Sequence, residues 1–561
     1  MPFKSRQPDI SIPTDLTIWD WLFDSPYSPL RKHSGSSLRG YTNAMTTERV
    51  SYAQVERYST YLSTALVKDY GLKEGDAVVL FSPNTIWYPV AMLGTLRAGG
   101  VVSGASPAYN VEEMTYALKT ANAKFLMTMP TSMKVAAAAA KNAGIPQERV
   151  FLLEGEMEGF KTMKQLLDAG SAYGEKGQVK SFKLPKGKKN KDVCGFLSFS
   201  SGTTGLPKAV MIAHQNVIAQ CLQIRQITPP DIHKILAVLP AFHITGLIHS
   251  LHLPILLNAE VYMLPAFTMK DMLDTVVKYQ LLELLLVPPI LIRLVRDPLV
   301  DQYDLSHIQR FSTGAAPVSE EIIQILQRKF PNTGFKQGYG MTESCSCITA
   351  HPPSHFDYKY AHAVGTIVAG TAVKIVAPDG TDLGVNEPGE LLARGPQIVM
   401  GYLDNAKATA DTFDADGWLH TGDQAVIDEE GLVTITDRIK EMIKVNGIAV
   451  APAELEDLLL GQPKVEDVAV LGVKDEYSGE RPKAYVVLAG GRNGSEEVGR
   501  ELIRYVRERK VRHKWITEVE FVDAIPKSAS GKILRRVLRD RGGGKGEGAV
   551  VRDEVKEKAK L

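Results

Sequence analysis

Residues 198–208 read SFSSGTTGLPK, a short apolar run that opens into hydroxyls, two glycines and a lysine. Glycines let backbone N–H groups converge into a nest, because no Cβ stands in the way. Ser200, Ser201, Thr203 and Thr204 add hydroxyl donors around Gly202 and Gly205. Lys208 adds a compact positive charge. A stretch of this kind is built to hold phosphate. It lacks the P-loop spacing G-x-x-x-x-G-K-[ST], since Lys208 follows Leu206-Pro207 and precedes Ala209. Another use of a nucleotide is implied.

The sequence on the N-terminal side of this loop alternates helical and strand patterns. YAQVERYSTYLSTAL has an apolar stripe at helical spacing, and DAVVLFSPN is a β-branched run ended by turn residues. TIWYPVAMLGTLRAGG reads as a helix stopped by Gly-Gly, and GVVSGASP as the next strand. MTYALKTANAKFLMT and KVAAAAAKNAGIPQERVFLLE repeat helix then strand. The alanine run at 136–140 is ordinary helix, because alanine is the best helix former. Repeated βαβ units predict an α/β fold, with doubly wound parallel sheets in a large N-terminal domain. After residue 437 the texture changes to short strands around the charged helix SEEVGRELIRYVRERKVRHKW. This predicts a smaller α+β domain over 438–541, after an N-terminal domain over 1–437. The composition of 542–561, Gly-rich and then charged, predicts a flexible tail.

The chain has 561 residues, too many for one core. Lys+Arg 65 against Asp+Glu 64 leaves a net charge of +1, so no global field recruits nucleic acid or an anionic surface. The four cysteines, at 194, 221, 345 and 347, form no C-x-x-C pair and fit a reducing compartment. The N-terminus has no apolar core of a secretory signal. HITGLIHSLHLPILLNAEVYMLP, from His243, holds histidine, proline, asparagine and glutamate, which favours a buried helix and strand over a membrane span. LLELLLVPPILIRLV reads as a strand turning into a helix at its proline pair. KSFKLPKGKKNKD (180–192) reads as a surface loop, since no aromatics interleave its lysines as nucleic-acid binding would need.

Further motifs follow in order: LPAFHITG (239–246), TGAAP (313–317), QGYGMTE (337–343), GWLHTGD (417–423), DRIKEMIKVNG (437–447), VAPAELE (450–456) and PKSASGKILR (526–535). With SSGTTGLPK they resemble the adenylate-forming enzymes: acyl-CoA synthetases, 4-coumarate–CoA ligases, luciferases and peptide-synthetase adenylation domains. The resemblance covers nearly the whole chain and is nearest the 4-coumarate–CoA ligase branch, including fungal peroxisomal acyl- and aryl-CoA ligases. It implies a mobile C-terminal lid domain and the substrates ATP and CoA with Mg²⁺.

The resemblance also implies roles. The loop from Ser200 to Lys208 would hold the β,γ-phosphates. Gly314, Ala315, Ala316 and Pro317, with Gln337, Gly338, Tyr339 and Gly340, would clamp adenine, Tyr339 stacking on it. Thr342 would touch the α-phosphate. Glu343, with Thr204, would ligate Mg²⁺ through hard oxygens. Asp423 would accept from the ribose hydroxyls, and Arg438 would bind ribose or phosphate. His243 would orient the reacting carboxylate. Lys532 would bridge that carboxylate and the α-phosphate. Lys440 matches a hinge, and Lys444, Asn446 and Gly447 belong to a segment that would face the CoA thiol channel. Thr245, Gly246, Ser312, Ala315 and Gly340 match small pocket-lining positions, which suits a bulky or extended apolar acid.

Four positions depart from the family pattern. Ala209 replaces a glycine, Thr245 a tyrosine, and Ala449 a glutamine, while Ala266 falls near where the family would have a CoA-contacting lysine. The run RYVRERKVRHK reads as a solvated helix face. The final residues Ala559-Lys560-Leu561 resemble the S-K-L peroxisomal address, implying an import receptor as partner. The expected protein is an ATP-dependent acyl-CoA ligase, AMP-forming, a monomer or homodimer without a transmembrane segment. A luciferase-like oxygenase, or an adenylating enzyme feeding a separate carrier protein, are the alternatives; no carrier-type LGGxS site occurs in the chain.

Overall fold

Strand Ala77–Phe81 is buried at every position in the computed structural model. That model describes residues 2–26, 28–33, 35–200, 207–475, 478–528, 531–541 and 549–552. A strand without polar alternation needs cover on both faces. Val78 and Leu80 pack with Leu62 and Leu93 from helices Tyr52–Lys68 and Tyr88–Arg97. Ala77, Val79 and Phe81 pack on the other side with Met114 and Ala136 from helices Val111–Thr120 and Met133–Ala143. Successive side chains point to opposite faces, so one strand feeds two cores.

The sheet built on this strand has eight members, in the order 401–402, 208–213, 194–200, 101–105, 77–81, 123–128, 150–152 and 161–162. From 194–200 onward the strands run parallel, as the βαβ pattern predicts. Local chemistry sets the helix ends. Ser51 with Gln54, and Asn110 with Glu113, make reciprocal capping boxes. Gly144, at φ +77°, closes Met133–Ala143.

A second sheet has Glu283–Leu286, Arg310–Thr313 and Gly334–Met341 in parallel, then two antiparallel strands. The proline pair starts helix Pro288–Arg296, as its sequence suggests. The region from His243 forms helical turns to Leu257 and then strand Glu260–Met263. Among the described residues, no helix is long and apolar enough to cross a membrane.

One feature departs from the doubly wound expectation. Strands 372–376, 389–394, 419–427 and 433–438 form an antiparallel sheet closed by residues 3–4. Its strands alternate buried and half-exposed positions, as in 419–427, the signature of a sheet covered on one face. This sheet ends at Arg438, and the next strand, Ile443–Val445, belongs to the six-stranded C-terminal sheet.

Val550–Arg552 is not a free end: it pairs antiparallel with Glu518–Glu520. Val551 is buried against Gly499 of helix Glu496–Arg509, where a side chain on the glycine would collide with it. A single apolar anchor opposite a glycine thus adds an edge strand that composition does not reveal. Ala559-Lys560-Leu561 lie outside the described residues.

Arg296 fastens the two parts of the chain together. Its Nη1 donates to the Val465 carbonyl at 2.9 Å and its Nη2 to the Leu460 carbonyl at 2.7 Å.

Candidate active site

A cavity of about 1170 Å³ opens between the C-terminal ends of the parallel strands and residues 532–539. Ser200, Lys208, Tyr339, Glu343, Arg438 and Lys532 all line it. Ligands of open α/β sheets bind beyond these strand ends.

The opening motif is a hairpin connection. Ser200 and Lys208 face each other in the last register pair of antiparallel strands 194–200 and 208–213. Ser201, Gly202, Thr203, Thr204 and Gly205 lie outside the described residues. Both ends of the loop are tied to one acidic side chain and its neighbour. Ser200 Oγ donates to Glu343 Oε1 at 2.8 Å, and Tyr402 OH donates to the same oxygen at 2.8 Å. Lys208 Nζ sits 4.7 Å above the Tyr402 ring. Tyr402 is a site residue that the motifs do not announce; GYLDN carries no recognisable spacing. Ala209 poses no strain. It pairs with Phe199 inside the strand, is buried, and has no positive φ.

The next group surrounds Asp423, which is 4% exposed. Asp423 and Arg438 are cross-strand partners. Arg438 Nε lies 3.3 Å from Asp423 Oδ1, and Tyr339 OH donates to Oδ2 at 2.6 Å. Burial raises the Asp423 carboxyl above its ordinary value, while Arg438, Tyr339 and Lys532 pull it down. Tyr339 and Arg438 line the cavity, with Asp423 holding them from behind.

Gly314 and Ala315 line the cavity, and Ala315 adopts φ +70°. Ala316 and Pro317 do not reach it, so the clamp is narrower than the motif suggested. Gln337 lines it, but its Nε2 is occupied by the carbonyls of Ala361 at 2.6 Å and Ala363 at 3.3 Å. Gly338, Gly340 and Thr342 are on the wall as expected. Gly340 has no room for a Cβ, which would run into the Ser346 carbonyl. Gly340→Ala is therefore expected to displace strand 346–350, with a stability loss of about 1–3 kcal/mol in a denaturant titration.

Lys532 arrives from the small domain. Gly531, at φ +82°, closes a turn in which its N–H donates to the Ser528 carbonyl at 2.8 Å. Burial lowers the Lys532 ammonium to about 8; Arg438 pushes the same way, and Glu441, Asp423 and Glu343 oppose them. A role that needs the charge is then available below that value and lost above it. For the free enzyme, kcat/KM of adenylation is expected to fall about tenfold per pH unit above about 8. Lys532→Arg, charged throughout, should remove that limb of the pH profile whatever its absolute rate.

Lys440 stands at the cavity rim, between the two sheets. Lys444, Asn446 and Gly447 do not reach the cavity. They form an exposed hairpin whose turn residues Asn446 and Gly447 have φ +51° and +78°. Ala449 lies on the same exposed hairpin, opposite Lys444, and Ala266 is exposed away from the cavity.

His243 and Thr245 line the remaining part. The His243 ring caps the turn Ile244–Gly246, its Nδ1 accepting from Thr245 N at 3.4 Å. Burial lowers its pKa to about 4, so the imidazole is neutral. Gly246 is not on the wall. It faces inward, where a Cβ would collide with the Pro240 carbonyl, so its smallness serves packing. Ser312 lines the cavity, but its hydroxyl is engaged with Glu283 at 2.7 Å. Glu283, Lys336 and His249 stand beside it, three polar residues that sequence reasoning missed. Glu283 lies in an apolar run without a motif, Lys336 just ahead of QGYGMTE and His249 in a helical turn, and only the tertiary packing brings them together.

A phosphate-type hairpin, a Tyr–Asp–Arg group and an incoming lysine around one cavity define an adenylate-forming enzyme. The AMP-binding enzyme family matches residues 37–403, and its C-terminal domain matches 454–532. The chain belongs to the AMP-binding enzyme family. It is 36% identical to 4-coumarate–CoA ligase-like 1 of Arabidopsis thaliana over 548 residues, covering 96% of each chain. It is 36% identical to the 4-coumarate–CoA ligase of Vanilla planifolia over 554 residues, again covering 96% of each. Among solved structures, ATP-bound MatB from Rhodopseudomonas palustris matches with a TM-score of 0.79 and 25% identity, over 94% of this chain and 98% of that one. The anthranilate CoA ligase AuaEII with anthranoyl-AMP shares the fold, at a TM-score of 0.82 and 22% identity, over 95% and 98%.

Proposed function

We propose that this protein is an AMP-forming acid–CoA ligase. It joins a bulky, largely apolar carboxylic acid to AMP with loss of pyrophosphate, then passes the acyl group to the CoA thiol. Fatty and arylalkanoic acids are the first class, cinnamate-type acids the second. The observation that carries this reading is that Lys532 lines the same cavity as Lys208, Glu343 and Arg438. A carboxylate and a triphosphate repel each other, so the site must supply cations and fixed donors where they meet.

In this reading Lys208 offsets the charge of the leaving pyrophosphate. Lys532 offsets the charge that builds between the acid and the α-phosphate. Arg438, aimed by Asp423, holds the ribose or phosphate. The neutral His243 orients the carboxylate and takes no proton, which fits its lowered pKa of about 4. Glu343 fits a magnesium ion: Oε1 is taken by Ser200 and Tyr402, and Oε2 has no partner among the described residues. Mg²⁺ is content with one or two carboxylates and otherwise keeps waters and phosphate oxygens. Bound there, it would neutralise phosphate charge. Thr204, the other residue assigned to it, lies outside the described residues.

For thioester formation the small domain turns about Lys440, withdraws Lys532 and presents the hairpin Lys444–Gly447 to the CoA thiol. The sequence Ala559-Lys560-Leu561 supports a peroxisomal location. Deleting these three residues is the direct check, by the distribution of a fluorescent fusion.

Pyrophosphate exchange into ATP, across a panel of carboxylic acids with Mg²⁺, tests the ligase reading. Acid-dependent exchange is expected, followed by CoA thioester on adding CoA. No exchange with any aliphatic or aromatic acid would overturn it. Exchange without thioester would leave the adenylation and refute the transfer to CoA.

A further inference from the structure

The acyl part of the cavity is not apolar throughout. Ile224, Ile227, Leu253 and Leu257 line it, but so do Glu283, Lys336 and His249. Lys336 Nζ lies 2.6 Å from Glu283 Oε1. The same oxygen accepts from Ser312, and Arg310 Nε donates to Oε2 at 3.1 Å. Arg310 Nη2 in turn donates to both oxygens of Asp231 at 2.9 Å. Two carboxylates therefore balance two cations. Glu283 is held below the usual carboxylate range: burial raises it, but Lys336, Ser312 and Arg310 prevail. The pair at the cavity wall is charged.

The strand register says where it lies. Lys336 and Gly338 share one face of strand Gly334–Met341, and a register shift between Tyr339 and Gly340 ends that alternation, with Gly340 still on the cavity wall. Gly340 adjoins Met341 and Thr342, the residue assigned to the α-phosphate that the carboxylate would attack. Lys336 is four residues upstream, about 13 Å along the wall. Four extended residues span twelve backbone bonds, so an acyl chain of roughly ten carbons has the same reach. Lys336 then reaches still further from Gly340, toward Glu283, which pairs in register with Arg310.

We propose that Lys336, held by Glu283, reads a neutral oxygen, a hydroxyl or carbonyl, at the far end of an extended acyl group about ten carbons long. The inference rests on the acid–CoA ligase reading and names its substrate class. An ammonium has three N–H donors; among the described residues Lys336 Nζ has Glu283 as its one oxygen acceptor and the Phe356 ring at 5.2 Å on another side, which leaves a donor for the cavity. A plain alkyl end would cover the remaining donors without an acceptor, at a desolvation cost. A second carboxylate would unbalance a half-buried network whose charges cancel. A neutral oxygen accepts from Lys336 and adds no charge. His249 supports the same end of the cavity. Its Nε2 meets Ser346 Oγ at 3.3 Å, and it lies close enough to Lys336 and Glu283 to feel both charges.

The test compares kcat/KM of the wild-type enzyme for decanoic acid, 10-hydroxydecanoic acid and decanedioic acid, by pyrophosphate exchange. The hydroxy acid is expected to exceed decanoic acid by about ten- to a hundredfold. Lys336→Met should bring that ratio close to one. The double variant Lys336→Met, Glu283→Gln removes charge and counter-charge together, and gives the same readout should the single variant fail to fold. Equal wild-type values, or a preference for the diacid, would overturn the proposal and leave the ligase reading intact. Exchange with none of these or any other acid would overturn both.

Discussion

Lys532→Ala is expected to lower acid-dependent pyrophosphate exchange by about 10²- to 10³-fold, the loss typical of removing one preorganised charge partner from a transition state. The side chain is half-buried at the cavity, among Asp423, Glu343, Glu441 and Arg438. Burial strips part of the water from the ammonium and lowers its pKa to about 8. A desolvated cation acts strongly on charge that develops beside it. The effect should fall on kcat, because the acid and ATP keep their other contacts. ATP binding by calorimetry should change little, which separates this outcome from a misfolded protein. Unchanged exchange would remove Lys532 from the adenylation step. Lysine and arginine differ in shape as well as basicity, so Lys532→Arg is expected to recover only part of the rate.

Asp423→Ala is expected to weaken ATP binding by about a hundredfold or more. Its carboxylate is 4% exposed and serves two groups at once, Tyr339 OH at 2.6 Å and Arg438 Nε at 3.3 Å. Removing one partner of a buried charge pair leaves the other uncompensated, at a cost of about 3–5 kcal/mol. Arg438 would then turn toward Glu441, which it already approaches at 3.9 Å. Tyr339 would lose the bond that fixes its ring at the cavity wall. Asp423→Asn keeps the shape and one acceptor, so about a tenfold loss is expected. Calorimetric titration with ATP in the absence of acid distinguishes the cases. A lower melting temperature with unchanged ATP affinity would make Asp423 a strut between strands 419–427 and 433–438 and nothing more.

Much of the site was legible because its residues sit in motifs where local spacing carries the chemistry. Ser200 and Lys208 flank a glycine-rich connection, and the structure pairs them across a hairpin. Glu343, Thr342 and Tyr339 follow one another at a strand end, and all three face the cavity. Gly246 shows the limit of the same reasoning. Its size suggested a pocket wall, but the backbone of Pro240 occupies the space where a side chain would go. Ala316 and Pro317 belong to the motif TGAAP, whose first three residues alone reach the cavity. Ala209, which stands where the family pattern has glycine, is an ordinary buried strand residue.

The sequence by itself determined the alternation of strand and helix, the parallel sheet it requires and the order of the phosphate, adenine and lysine motifs. The alternation follows from periods of two and 3.6 residues, which are local properties, and the expected roles of the motifs follow from their resemblance to a family. Tertiary structure alone decided which distant side chains share a hydrogen bond. Tyr402 meets Glu343, Val551 anchors an edge strand on Gly499, and Lys336 meets Glu283 across strands that have no motif in common. Such pairings depend on sheet register and on the packing of whole layers. A one-residue slip would reverse every side chain involved, and no local pattern records that choice.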